Sequence, residues 1–181
     1  MDNKDCTGLE IVPLTPDYPY LDCLNDILDE AFPANERLAS RDITSFSKDS
    51  RYVILVFEDD HVPVGFLQML HCGEDAYYVM YLAIGKEFRN RNYGSRVMKL
   101  AADEYLKGKI VFGCVEALLP EAPNYQQRVD RVRFYQRNGM VLLDEVIDVG
   151  EIGKYQLVCN DPNVTSEQLK AKMPAAMPFL M

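Results

Sequence analysis

The chain has 181 residues, of which 48% are hydrophobic, and it carries a formal net charge of -9 with an isoelectric point near 4.7. This length and hydrophobic content favour one domain with a substantial core. The acidity argues against broad nucleic-acid binding, which needs a basic surface, whereas it suits either a cationic partner or simple solubility.

The first part of the chain predicts a strand, two helices and a hairpin. Leu9–Thr15 alternates apolar and polar residues, as a half-buried strand does. Apolar residues recur at three- and four-residue spacing over Tyr18–Phe32, which predicts a helix, and a shorter helix follows at about Glu36–Phe46. Tyr52–Phe57 and Val62–Leu70 are rich in β-branched and aromatic residues, so we expect them to pair as a hairpin.

The middle of the chain predicts a strand, a helix and another strand. Tyr77–Ile84 is almost continuously apolar, which is typical of a central strand covered on both faces. Gly94–Leu106 carries a helical apolar stripe, and Gly108 is placed to end it. Ile110–Val115 is the next predicted strand.

The last part predicts a helix at Asn124–Asn138 and strands at Met140–Val149 and Lys154–Cys159. This order of elements favours an α/β fold with a mixed sheet. We expect a single domain over residues 1–160. The tail over residues 161–181 contains prolines and is weakly amphipathic, and the sequence leaves open whether it docks or stays mobile.

Cysteine usage and hydropathy narrow the class of protein further. The five cysteines are scattered and only two histidines accompany them, so neither a disulfide framework nor a metal site is predicted. The N-terminus is polar, and no stretch approaches the roughly 20 apolar residues that span a membrane. We therefore expect a cytoplasmic protein without a membrane partner.

Residues 89–96 carry most of the functional information. Their sequence, Arg-Asn-Arg-Asn-Tyr-Gly-Ser-Arg, lies between the predicted central strand and the following helix. Small and turn-prone residues let the backbone approach an anion, and the first N–H groups of a helix have no intrahelical partner. Three arginines add local positive charge to an acidic chain, so we expect an anionic ligand here.

This segment resembles the pyrophosphate loop of the GNAT acetyltransferases, whose pattern is Arg or Gln, two residues, Gly, one residue, then Gly or Ala. Arg89 and Gly94 match the pattern, and Asn92 stands at the middle glycine, where asparagine is the non-glycine residue best able to adopt a positive φ. Residues 131–140 resemble the late helix of the family, and Phe32–Arg37 resembles its early elbow.

The resemblance implies a fold and an activity. The fold would be a mixed, largely antiparallel sheet of about seven strands, flanked by helices and splayed between the fourth and fifth strands. The activity would be transfer of an acetyl group from acetyl-CoA to a small amine or a protein amine, by direct attack in a ternary complex. A homodimer stays open, since family members often dimerise. Two alternatives are an inactive acyl-CoA-binding sensor or partner-binding module, and an unrelated phosphate-binding domain.

The resemblance also implies roles for individual residues. Tyr135 would be the general acid that protonates the departing thiolate, and Glu116 would be the base, with its pKa raised by a hydrophobic wall. Glu116 could equally be a solvated charge at a strand end; Glu87, Tyr78, Tyr81 or a chain of waters are the alternative bases. The acceptor site would include Phe32, Arg37 and Tyr78. The implied cofactor-binding residues are Leu82, Ala83, Ile84, Arg89, Arg91, Asn92, Tyr93, Gly94, Ser95 and Arg96.

Overall fold

A computed structural model describes residues 8–32 and 43–173 of the chain. The strands in these residues are β1 (Leu9–Pro13), β2 (Tyr52–Asp59), β3 (Val62–His71), β4 (Ala76–Ile84), β5 (Ile110–Glu116), β6 (Val141–Asp148) and β7 (Lys154–Cys159). The α-helices are α1 (Leu21–Ala31), α2 (Ile43–Ser47), α3 (Tyr93–Glu104), α4 (Tyr125–Arg137) and α5 (Ser166–Lys172). None of the described helices is both long and apolar enough to cross a bilayer.

The strands form one sheet with the hydrogen-bonding order β1-β2-β3-β4-β5-β7-β6. β1 with β2, β2 with β3, β5 with β7 and β6 with β7 are antiparallel, whereas β4 and β5 run parallel. The parallel register pairs Ala76–Val79 with Ile110–Gly113 and includes no residue beyond them. The predicted mixed, mostly antiparallel α/β sheet is therefore confirmed.

The chain divides into two compact units, which are described separately. The first comprises Met1–Leu70 and Tyr81–Tyr105, and the second comprises His71–Met80 and Leu106–Met181. Each unit has its own apolar core of side chains that are almost fully buried, including Leu24, Leu55, Phe57 and Phe66 in the first, and Phe112, Leu157 and Leu169 in the second.

In the first unit, β2 and β3 form the predicted hairpin. The strands are longer than expected, because Asp59 still pairs with Val62 and only Asp60 and His61 turn the chain. Both turn residues have positive φ, 52° and 64°, as a tight two-residue hairpin turn requires. The predicted start of the second helix, at about Glu36, lies outside the described residues. Within the described residues, α2 begins at Ile43.

In the second unit, the part of the tail that the structure describes docks as a helix. Thr165 and Gln168 form a capping box at the start of α5, and Leu169 is completely buried. Lys172 pairs with Asp75 at 3.1 Å, and Lys170 pairs with Glu145. The weakly amphipathic start of the tail thus forms a helix whose apolar residue Leu169 is buried by tertiary packing.

Close approach of β3 and β4 in the first unit depends on Gly65. A Cβ at this position would lie 2.3 Å from the carbonyl oxygen of Ala83, which is backbone and has little freedom to move. Gly65→Ala is therefore expected to lower the free energy of unfolding by about 2 to 3 kcal/mol. Urea denaturation measures this loss.

Gly85→Ala is the matched control, because the three atoms nearest to its Cβ would be side-chain atoms of Phe88, Glu87 and Ile27, at 3.3–3.5 Å. We expect it to cost less than about 1 kcal/mol. Equal stability of the Gly65→Ala protein and the parent would contradict the close approach.

Candidate functional site

The loop between β4 and α3 turns the chain through a short 3-10 segment and two left-handed residues. The 3-10 turn covers Lys86–Phe88, and Asn90 and Asn92 follow with φ of 60° and 62°. Asparagine tolerates this conformation because its short polar side chain bonds locally. The positive φ expected at Asn92 is thus confirmed, and Asn90 shares it.

The first turn of α3 presents its backbone N–H groups without a side-chain cap. Asn92 occupies the N-cap position but makes no capping hydrogen bond with its side chain, and the N–H of Arg96 is the donor to its carbonyl at 3.2 Å. The N–H groups of Tyr93, Gly94 and Ser95 precede the first intrahelical bond. A helix start of this kind attracts anions through these donors and through the helix dipole.

Arg89 is engaged with neighbouring protein groups. Its Nε donates to the carbonyl of Ile84 at 2.9 Å, and its Nη1 lies 3.2 Å from a carboxylate oxygen of Glu30. The assignment of Arg89 to cofactor binding stays a prediction, and the nearby carboxylate of Glu30 offsets part of its charge. The guanidinium thus links the end of β4 to a side chain of α1. Arg91 is exposed in the same loop.

Tyr93 and Arg96 meet a carboxylate from the β2–β3 hairpin. The Tyr93 hydroxyl donates to Oδ2 of Asp59 at 2.5 Å, and the Arg96 guanidinium carbon lies 4.5 Å from the centre of the Tyr93 ring. Nη2 of Arg96 lies 3.7 Å from the same Asp59 oxygen. Asp59 did not emerge from sequence reasoning, since it lies in the segment that was predicted only as the turn between the two strands.

The end of β4 directs alternate backbone groups away from β3. The N–H of Gly85 donates to the carbonyl of Val64 on β3 at 2.9 Å. Because successive residues of a strand point their N–H and C=O groups to opposite sides, those of Ile84 and Leu82 face away from β3. Ala83 is buried. A ligand that pairs like a strand would meet the main chain of Leu82 and the N–H of Ile84, whose carbonyl already accepts from Arg89.

Of the residues assigned to the acceptor, Phe32 follows α1 and packs its ring 4.8 Å from that of Tyr81. Arg37 lies outside the described residues. Tyr78 is a core side chain of the second unit, where its ring packs edge-on against Phe112 at 5.5 Å. Burial, together with a hydrogen bond to Cys114, raises the pKa of Tyr78 well above its ordinary value, which also makes it a poor base.

Glu116, the last residue of β5, is surrounded by hydrogen-bond donors. Asn124 donates to Oε1 at 2.9 Å, Arg128 lies 3.2 Å from the same oxygen, and Arg131 binds Oε2. Burial by itself would raise the pKa of this carboxyl group, but the amide and the two guanidinium groups outweigh it and lower the pKa. The upward pKa shift expected from the sequence is therefore wrong, because the sequence did not show that Arg128 and Arg131 of α4 lie beside Glu116.

The pH dependence of folding follows from this shift. The pKa of Glu116 in the folded protein is below the unfolded value of about 4.3. The ionised side chain therefore adds its full share to the free energy of unfolding above the unfolded pKa, and this share is lost as the pH falls through the folded pKa. Glu116→Gln is thus expected to lower the free energy of unfolding at pH 7 by about 1 to 3 kcal/mol. The difference from the parent should shrink toward pH 3, which urea denaturation across pH measures.

Glu121→Gln makes the same charge change at an exposed position and should leave stability nearly unchanged. A difference between the Glu116→Gln protein and the parent that is independent of pH would contradict the ion-pair explanation.

Tyr135 lies in the last turn of α4, one turn beyond Arg131. Its ring packs edge-on against Phe134 at 5.3 Å. Burial raises the pKa of the Tyr135 hydroxyl, and the Arg131 charge opposes that shift only in part. The phenol therefore stays protonated at neutral and moderately alkaline pH, as a proton donor must.

Comparison with known proteins establishes the family. The sequence model of the acetyltransferase (GNAT) family matches residues 21–140, well over half of the chain, so the protein belongs to this family. No curated protein sequence matches the chain. The resemblance of the loop and of the late helix is confirmed at the level of the family.

Solved structures share the fold. A putative GNAT acetyltransferase from Bacteroides thetaiotaomicron is 23% identical with a TM-score of 0.70, covering 88% of this chain and 90% of its own. A mutant of the spermidine N-acetyltransferase SpeG from Vibrio cholerae is 12% identical with a TM-score of 0.63, covering 84% and 92%. An aminoglycoside 6'-N-acetyltransferase complexed with coenzyme A is 16% identical with a TM-score of 0.61, covering 86% and 99%.

Proposed function

We propose that the protein transfers an acetyl group from acetyl-CoA to an amine by direct attack in a ternary complex. The observation that carries the proposal is the start of α3, where left-handed Asn92 is followed by N–H groups that its side chain does not cap. A diphosphate is the part of acetyl-CoA that such a site would hold, because it accepts several main-chain hydrogen bonds and carries negative charge.

The residues present fit this cosubstrate. The N–H groups of Tyr93, Gly94 and Ser95 would bind the diphosphate, with exposed Arg91 adding charge nearby. The backbone of Leu82 and the N–H of Ile84 would pair with the pantetheine arm as an added strand does. Acetyl-CoA supplies a thioester whose carbonyl carbon accepts the amine.

The chemistry needs three proton transfers. A base removes a proton from the ammonium of the acceptor, so that the nitrogen lone pair can attack the thioester carbonyl and form the C–N bond. The nitrogen loses a second proton as the C–S bond breaks, and this proton replaces the one that the general acid gives to the thiolate. Tyr135 would donate its hydroxyl proton to the departing thiolate, a role that its raised pKa supports. Glu116 stays the predicted base. Its lowered pKa keeps it ionised but makes it weakly basic, so the rate of the Glu116→Gln protein is the direct check of this role.

A small cationic amine is the acceptor class that we favour, with a protein amine as the alternative. The net charge of -9 attracts cations, and the fold neighbours include enzymes named for spermidine and for aminoglycosides, both of which are polycationic amines. A homodimer and a cytoplasmic location stay predictions from the sequence.

Calorimetry with acetyl-CoA, followed by a thiol-release assay with spermidine, an aminoglycoside and a peptide amine, tests the proposal. We expect binding and release of coenzyme A with at least one acceptor. Because Cys23 and Cys114 are free and partly accessible thiols, the assay needs a reaction without acceptor as its blank. Binding without turnover would favour the inactive acyl-CoA-binding module, and absence of binding would refute the function.

A further inference from the structure

Asp59 lies where the β2–β3 hairpin meets the start of α3. It is the last residue of β2 and pairs with Val62, so its backbone is fixed by the tight turn at Asp60 and His61. Only 18% of its side chain is exposed. A carboxylate that is largely removed from water in this way needs hydrogen-bond donors or positive charge beside it.

Two residues of the first turn of α3 supply those partners. Tyr93 donates its hydroxyl proton to Asp59, and the guanidinium of Arg96 stacks on the Tyr93 ring with Nη2 3.7 Å from the carboxylate. This distance is too long for a hydrogen bond. Nη2 is inaccessible to solvent and has no hydrogen-bond partner among the residues that the structure describes, so the charge of Asp59 and the face of the Tyr93 ring stabilise it.

The burial of Nη2 assigns this part of Arg96 to the protein interior. In the geometry observed, Nη2 faces Asp59 and is closed to solvent. Arg96 therefore acts on the loop chiefly by bracing Tyr93, in addition to any long-range attraction for an anion. The hydrogen bond to Asp59 is also the main cause of a raised pKa of Tyr93, ahead of burial, with Arg96 opposing it.

The bracing acts directly on the backbone that the proposed function uses. Tyr93 follows left-handed Asn92, and Arg96 completes the first turn, so the two anchored side chains flank Gly94 and Ser95. A loop held in its binding conformation loses less conformational entropy when a ligand arrives. Anchoring both ends of the turn to a hairpin therefore favours binding without any contact to the ligand.

We propose that Asp59 is a positioning residue for acetyl-CoA: through Tyr93 and Arg96 it fixes the first turn of α3 in the conformation that accepts a diphosphate. The inference rests on the proposed function. The positioning role predicts that loss of the Asp59 charge weakens acetyl-CoA binding. Charge repulsion alone predicts the opposite, because removal of a negative charge near an anion site would tighten binding.

Asp59→Asn and Tyr93→Phe test the proposal, with calorimetric titration of acetyl-CoA as the measurement. Each is expected to weaken binding about tenfold, since the first removes the charge that faces Arg96 and the second removes the hydroxyl that bonds to Asp59, while both keep the backbone N–H groups. In steady-state assays the KM for acetyl-CoA should rise by a similar factor, with a smaller change in kcat and in the KM for the amine.

Asp60→Asn is the matched control. It removes the same charge from the adjacent, exposed residue, and asparagine tolerates the φ of 52° found there. We expect its affinity for acetyl-CoA to stay within twofold of the parent. Unchanged or tighter binding by the Asp59→Asn protein would overturn the positioning role, as would equal weakening by Asp60→Asn.

Hydrogen exchange without ligand separates this inference from the proposed function. Amides in residues 89–96 should exchange at least several-fold faster in the Asp59→Asn protein than in the parent, and Asp60→Asn should not change them. If the parent does not bind acetyl-CoA, the function fails whatever the exchange shows. If the parent binds but exchange in the loop is the same in all three proteins, only the positioning role fails.

Discussion

Gly94→Asp is expected to weaken acetyl-CoA binding about a hundredfold, or roughly 2.7 kcal/mol. Gly94 is the second residue of α3, where a side chain and a negative charge would be placed against the diphosphate. The fold should tolerate the change, because an aspartate in the first turn of a helix interacts favourably with the helix dipole. Calorimetry and thermal unfolding, measured on the same preparation, distinguish lost binding from lost structure.

Ala102→Asp is the matched control for this substitution. It introduces the same charge at an exposed position of α3, two turns beyond Gly94. We expect a change in affinity of less than about twofold, since exposed charges at this separation are largely screened at physiological salt. If Gly94→Asp binds acetyl-CoA as the parent does, the diphosphate is held elsewhere.

Tyr135→Phe is expected to slow kcat by about 100- to 1,000-fold while leaving the dissociation constant of acetyl-CoA nearly unchanged. The substitution removes only the hydroxyl and keeps the ring that packs against Phe134. Thiolate release without a proton donor is the step that should slow. Because burial raises the pKa of Tyr135, loss of activity from its ionisation should begin only at strongly alkaline pH in the parent.

Tyr125→Phe removes a hydroxyl from the first turn of the same helix, where 37% of the residue is exposed. Its kcat should equal that of the parent. Equal rates for Tyr135→Phe and the parent would show that another group, or water, protonates the thiolate.

Local patterns in the sequence predicted the elements well because those patterns act over a few residues. The positive φ at Asn92 follows from asparagine standing where the family has glycine, and the φ was found as expected. The β2–β3 hairpin, α3 and α4 were likewise expected within a few residues of their observed bounds, since apolar periodicity, turn residues and terminating glycines mark them. The resemblance to the GNAT family rested on local motifs of this kind, and the family model over residues 21–140 confirmed it.

Local sequence patterns could not predict which residues contact the charged side chains. Arg89 meets Glu30 across 59 residues of chain, and Tyr93 meets Asp59 across 34. Glu116 has a lowered pKa because α4 turns Arg128 and Arg131 toward the end of β5. The resemblance implied Tyr78 for the acceptor site, and its burial in the core of the second unit was not visible in the sequence.

The sequence by itself therefore determined the order of strands and helices, the left-handed loop before α3 and the family. These depend on backbone preferences and on periodic burial, which adjacent residues set. Only the tertiary structure decided that Asp59 meets Tyr93 and Arg96, that Glu30 lies beside Arg89 and that two arginines lower the pKa of Glu116. A pKa or an ion pair depends on distances of a few ångströms between side chains, and those distances exist only after the sheet has brought remote segments together.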